Sequence, residues 1–152
     1  TMLGTVLMTQ PRLAEAEEQL RRAHEIVVAH LPADHQYVAS TEHYLGEVLL
    51  ARQNFAEAEQ LLTAAKDRWK RTGAPPWRAP RSASALGEVL HREGRNQEAG
   101  QVLIASYQIL STACGVDRET REAARARVVR FYSDTKQQQK LEALIRPTRH
   151  AP

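Results

Sequence analysis

The stretch Leu45-Gly46-Glu47-Val48-Leu49 recurs forty-one positions later as Leu86-Gly87-Glu88-Val89-Leu90. A chain that repeats itself at a fixed period builds one supersecondary unit several times over, and this constrains its fold more than any other feature. An earlier copy reads Leu3-Gly4-Thr5-Val6-Leu7. A companion series runs alongside: Ala14-Glu15-Ala16-Glu17, Ala56-Glu57-Ala58-Glu59 and Gln97-Glu98-Ala99-Gly100. A fourth copy, from Val128, is degenerate, with Val129 in place of the glycine and Leu141 in place of the alanine.

Within each copy the apolar spacing is helical. Val38, Leu45, Val48 and Leu49 share one stripe, with Thr41 filling its gap. Phe55, Ala58, Leu61, Leu62, Ala65 and Trp69 form another at steps of three and four. Between them Asn54 is placed to cap the second helix, with Glu57 completing a capping box. Gly94 marks the same turn in the third copy, and Pro11 stands near a helix start in the first. The unit is a helical hairpin. A glycine inside a helix costs about 1 kcal/mol against alanine, so Gly4, Gly46 and Gly87 need a geometric reason. Each lies twelve residues before an alanine, Ala16, Ala58 or Ala99, and small residues facing one another would let antiparallel helices cross closely. The spacing predicts helices near 11–30, 36–52, 54–72, 80–93, 96–113, 118–134 and 137–146, and no strand.

Leu45, Gly46, Leu49, Ala58, Leu62 and Ala65 resemble the tetratricopeptide-repeat pattern of large and small residues across two helices. Leu3, Gly4, Leu7, Ala16, Leu20 and Ala23 match equally, and Leu86, Gly87, Leu90, Ala99 and Leu103 match with Ser106 in the last alanine's place. The period of 41 to 42 residues exceeds the usual ~34 and is similar to the longer repeats of the kinesin-light-chain type. The segments 31–38 and 115–123 resemble the linkers of that subfamily, which would make Asp34 and Asp117 helix N-caps. The resemblance implies an all-α, right-handed helical-hairpin solenoid of about four repeats, spanning approximately 1–34, 35–76, 77–116 and 117–146, with 147–152 a disordered tail. It also implies a non-catalytic protein–protein interaction scaffold. Such repeats occur in bacterial multidomain proteins, including C-terminal arrays of serine/threonine kinases that close on a helix like 130–133. The expected parent is therefore a larger bacterial signalling or regulatory protein. The first helix is cut to about nine residues, and its core-type Met2, Leu3, Val6 and Leu7 lack a covering turn. That predicts a piece of a longer array, or self-association through the first hairpin.

Chemistry is conspicuous by its failure to assemble. The single Cys114 allows no intrachain disulfide and no cysteine-based metal site, and it is expected as a semi-buried thiol at a helix end. His24 and His30 are six residues apart, whereas a zinc-protease helix needs histidines at i and i+4. No Gly-rich phosphate loop, G-x-S-x-G elbow or kinase signature occurs. No catalytic, cofactor or metal residue is expected. The apolar content is 42% and the charged content 26%, and no apolar run approaches the roughly 20 residues of a membrane span. A cytoplasmic protein is expected. The net charge of +3, from 21 basic and 18 acidic residues, comes without a long basic block. Small clusters (Arg21 with Arg22; Arg125, Arg127 and Arg130) leave a nucleic-acid-binding helical repeat as the alternative function.

The resemblance lines a concave groove with the first helix of each hairpin, there to hold a protein or peptide, or another domain of the same parent chain. Stepping by the repeat aligns His43 with Ser84 and Ala126, Glu47 with Glu88 and Arg130, and Leu50 with His91 and Ser133. The candidate groove residues are His43, Glu47, Leu50, Glu88, His91, Arg92, Arg127 and Arg130. Family members that clamp a C-terminal carboxylate use Lys, Asn and Arg in these rows. Glu47 and Glu88 stand where the asparagines would be, which argues against that ligand. Trp77, among Pro75, Pro76 and Pro80, either seals the seam between repeats or is an exposed aromatic anchor.

Overall fold

The structure is a computed structural model that describes residues 10–146. Among these are seven α-helices and no strand: α1 (Gln10–His30), α2 (Gln36–Ala51), α3 (Phe55–Trp69), α4 (Arg78–Arg92), α5 (Asn96–Thr112), α6 (Arg118–Asp134) and α7 (Gln138–Ile145). The expected first helix and the expected tail lie outside the described residues. The other predicted helices are found to within three residues at either end.

Each helix packs on the next, so the hairpins stack in chain order. The odd and even helices behave differently. Helix α4 touches both α2 and α6, whereas α1, α3 and α5 make no backbone contact with one another. The even helices thus form a closed inner layer, and the odd helices are splayed on the outside. This is the helical-hairpin solenoid that the repeat requires, because no single hairpin can bury its own apolar face.

The glycine inside each even helix has a physical explanation, and it differs from the expected one. A Cβ built on Gly46 would stand 2.6 Å from Leu62 Cγ, and one on Gly87 would stand 2.6 Å from Leu103 Cγ. The glycines therefore receive a leucine knob from the following helix, not the alanines twelve residues on. Ala58 and Ala99 are fully buried close by. Leu62 and Leu103 are themselves sealed from solvent and belong to one core with Leu45, Leu49, Leu86, Val89 and Val128. Phe131 makes a third close approach, its Cζ 2.9 Å from where a Gly100 Cβ would lie.

The hairpin turns repeat as well. Gln53, Gly94 and Lys136 occupy one register position, and all have positive φ, at 63°, 82° and 56°. Only Gly94 is the residue type that this conformation favours. Gly73, in the turn between α3 and the proline run, has φ +69°.

Two of the three expected caps are corrected. Asp117 does cap α6, its Oδ1 accepting from the Thr120 N–H at 2.8 Å and its Oδ2 from the Thr120 hydroxyl at 2.9 Å. Helix α2 is capped by His35, whose Nδ1 accepts from the Tyr37 N–H, while Asp34 pairs with Arg71 at 2.9 Å. Asn54 makes no side-chain cap bond, and the capping box does not form. Glu57 is held instead by Arg21 of α1, through contacts of 2.6 and 2.8 Å. That guanidinium keeps the Glu57 carboxyl below the usual carboxylate range.

Candidate functional site

Helices α2, α4 and α6 present a common inner face, and Arg127 ties it together. From α6 its guanidinium reaches Glu88 on α4 at 2.8 Å, Ser84 at 3.3 Å and Glu47 on α2 at 3.5 Å. Arg130 pairs with the second oxygen of Glu88. Four of the predicted groove residues, Glu47, Glu88, Arg127 and Arg130, therefore converge on a single network. Arg127 and Glu88 are largely shielded, which makes their ion pair a structural tie more than a free binding group.

The remaining predicted residues go elsewhere. His43 is 1% exposed and Leu50 is 8% exposed, so neither lines a groove. The reason is helical geometry. His43, Gly46 and Leu50 share one stripe, and neighbouring helices cover it: Leu62 of α3 presses on Gly46, and Ser82 of α4 bonds His43. Glu47 lies about 100° further round and belongs with Tyr44 and Ala51. His91 is on the equivalent stripe of α4 and is half-buried, with contacts to Asn96 at 2.9 Å and Asp134 at 2.8 Å. Arg92 is exposed at the end of α4, with its guanidinium 5.8 Å from the Phe55 ring centroid. Trp77 is half-buried and packs against the small cluster of Leu110, Val116 and Ala124. That places it in the seam between hairpins. Arg78 stacks on it at 4.8 Å and on Trp69 at 5.2 Å. Cys114 is exposed, not semi-buried.

Sequence reasoning missed Arg81, Tyr44 and Glu119. A recess of about 60 Å³ opens on the inner face, lined by Glu47, Arg81, Ser84, Glu119, Thr120 and Arg127. Arg81 makes no ion pair among the described residues. Its guanidinium lies 5.1 Å from the Tyr44 ring centroid, within cation–π range. Tyr44 is 40% exposed beside it. Beneath this surface His43 accepts or donates a 2.9 Å hydrogen bond with the Ser82 hydroxyl, and its Nε2 is buried without a hydrogen-bond partner. Burial, reinforced by Arg81, Arg127 and Arg78, holds its pKa well below the ordinary histidine range. The imidazole is neutral and serves as part of the floor.

The arginines behind the nucleic-acid alternative are mostly engaged. Arg21 pairs with Glu17 and Glu57, Arg22 with Glu18, and Arg127 and Arg130 with Glu88. Phosphates would have to displace these carboxylates. No helix among the described residues is long and apolar enough to cross a membrane.

A stack of helical hairpins with a polar inner face defines a class, the repeat scaffold, and the comparisons supply the family. The tetratricopeptide-repeat family model matches residues 1–71 and again 37–110. The chain belongs to the tetratricopeptide-repeat family. The crystal structure of nearly identical tetratricopeptide-like repeats from a Podosopora anserina protein described as a kinesin light chain is similar, at 22% identity and a TM-score of 0.63. A single-substitution variant of the same protein has the same identity and a TM-score of 0.66. Each likeness covers 90% of this chain and 65% of the other, so this chain spans just under two thirds of those structures. The likeness establishes a kinesin-light-chain-like repeat fold. No curated protein matches the sequence. Repeats of this family generally mediate protein–protein interaction.

Proposed function

We propose that this segment is a non-catalytic scaffold whose inner face holds an extended peptide segment carrying an acidic side chain. The observation that supports this most is Arg81. It is a half-buried cation on the inner face with no carboxylate partner among the described residues, beside the exposed ring of Tyr44. Neighbouring Arg127 and Arg130 are already neutralised by Glu88 and Glu47. A peptide carboxylate over Arg81 would gain a charge-assisted hydrogen bond, and an apolar neighbour could lie on Tyr44. With Glu47 and Glu88 in the groove rows, recognition of a chain-terminal carboxylate is disfavoured. The acidic segment could come from a separate protein or from another domain of the parent chain. The parent proposed here, a bacterial signalling protein such as a serine/threonine kinase in a cytoplasmic setting, rests on the long repeat period and the closing helix at 130–133.

An array of short peptides, probed with the chain and with its Arg81→Glu variant, tests the proposal. Acidic peptides captured by the first and lost by the second are expected. Captured peptides that show no acidic enrichment, or that bind the variant equally, would overturn it.

A further inference from the structure

The outer surface holds a second feature that the inner face does not explain. Between α3 and α5, with α4 as its floor, runs an open groove of about 330 Å³. Its floor is Pro80, Ala83 and Leu86, and its α5 wall is Val102, Ala105 and Ile109. Ile109 is 47% exposed and adds apolar surface to the α5 wall of the groove.

The internal repeat says why the groove is there. One hairpin earlier, the positions of Ala83 and Ile109 are held by Glu42 and Arg68. Those two residues fill the corresponding cleft. Arg68 grips the buried Glu42 carboxylate with two contacts, 2.9 and 2.8 Å, and reaches on to the Ala33 carbonyl between α1 and α2. A two-ended polar plug occupies the cleft beside α2. Forty-one residues on, both ends of the plug have become apolar and shorter, and the cleft beside α4 is left open. Side chains that only filled space need not have changed in concert. A changed pair that turns a sealed cleft into an apolar trough suits an apolar occupant.

The α3 wall supplies the charge. Lys66 and Lys70 stand one turn apart on the rim, about 6 Å along the helix axis. Asp67 lies near both ammonium groups, at 3.7 and 3.8 Å. These distances are too long for tight hydrogen bonds, and the three groups together carry a surplus of one positive charge. The facing wall, at Gln101 and Ser106, carries none.

We infer that this outer groove docks an amphipathic α-helix of a partner protein, with its apolar stripe on Ala83, Leu86 and Ile109 and an acidic flank along Lys66 and Lys70. The small floor residues let a third helix approach closely between α3 and α5, which do not touch each other. The open length of the trough suits a helix better than an enclosed small molecule. This surface lies on the opposite side of α4 from Arg81 and Arg127, so both faces can be occupied at once.

The test uses a helix-stapled peptide of about 15 residues, with leucines on one stripe and glutamates on one flank, titrated into the 152-residue chain. Ala83→Glu combined with Ile109→Arg rebuilds the plug of the preceding hairpin, and a folded, helical double variant is expected. Binding should fall about tenfold or more in that variant, and about threefold in Lys66→Gln/Lys70→Gln, which removes the charge of one half-buried and one exposed rim group. Arg81→Glu should leave it unchanged, which separates this proposal from the inner-face one. Amide shifts in the unsubstituted chain should gather at Ala83, Val102 and Ile109. Equal affinity for a peptide with lysines on the flank would overturn the inference. So would shifts elsewhere, or self-association of the chain that the plugged variant abolishes.

Discussion

Adding one methyl group at Gly87 tests the packing of the whole array. The Gly87→Ala Cβ would lie 2.6 Å from Leu103 Cγ, 2.7 Å from its Cδ2 and 3.3 Å from its backbone nitrogen. Carbon pairs in a packed core rest at about 3.5–4.0 Å, so the contact must open by about 1 Å. Leu103 is 1% exposed and has no space to retreat into, and Cγ is too close to its own backbone to swing away freely. Either α5 shifts away from α4 or Leu103 leaves its rotamer. Overpacking of this kind costs about 1–3 kcal/mol. With Leu103 unable to retreat, the upper part of that range applies, about 2–3 kcal/mol; the substitution gains about 1 kcal/mol of helix propensity, so the net loss should be about 1–2 kcal/mol. In a chain of this size that lowers the melting temperature by roughly 2–8 °C. Gly46→Ala should cost less, because its close neighbours are side-chain atoms of Leu62 alone. Urea unfolding followed by circular dichroism reads the difference. Pairing Gly87→Ala with Leu103→Ala should be less damaging than the sum of the two single changes, since the knob that the new methyl strikes is gone. If Gly87→Ala is as stable as the parent, propensity has won and the close helix approach is not what fixes glycine there.

Three further outcomes follow from particular contacts. Removing Arg127 as Arg127→Ala takes away the arginine partner of Glu47 and one of the two of Glu88 and should cost about 1–3 kcal/mol, measured by urea unfolding; no change would mean the network is solvent-screened. His43 is neutral in the folded chain and titrates near 6.5 when unfolded. The unfolded chain then binds the proton first, so stability is full above pH 6.5 and falls as the pH drops below it, by up to about 1.4 kcal/mol per unit. His43→Gln should flatten that slope between pH 6.5 and 5, a window above the one in which Asp117 and Glu57, both held low, lose their own contribution. Gln53 takes a left-handed conformation where the next hairpin has Gly94, so Gln53→Gly should raise stability by up to about 1 kcal/mol; a loss in thermal unfolding would show that the Gln53 side chain matters more than its backbone strain.

What the sequence discloses here is whatever repeats or is local. From Gln10 on, the glycine and alanine series, the helical stripes and the Gly94 turn are short-range signals, and each has its structural counterpart. The capping box at Asn54 is also local, yet Arg21 captured Glu57 from thirty-six residues away, and no local pattern contains that competitor. The groove failed for a different reason. Stepping by the repeat names equivalent positions correctly but leaves open which stripe of the helix faces inward. Gly46 held the missing information. A glycine that admits a neighbouring helix must sit on a buried stripe, so His43 and Leu50 on that stripe are buried too, and Tyr44 and Glu47 are the ones left facing the groove. The same reasoning would have found Arg81 one hairpin on, at the register position of Ser40.

The most direct test of the central claim, that the inner face of the even helices is the peptide-binding surface, is an amide-shift map of the chain titrated with an acidic peptide captured on the array. Perturbations should concentrate on α2, α4 and α6, at Tyr44, Glu47, Arg81 and Glu88, and Arg81→Glu should abolish them. Perturbations confined to α1, α3 and α5 would contradict that claim.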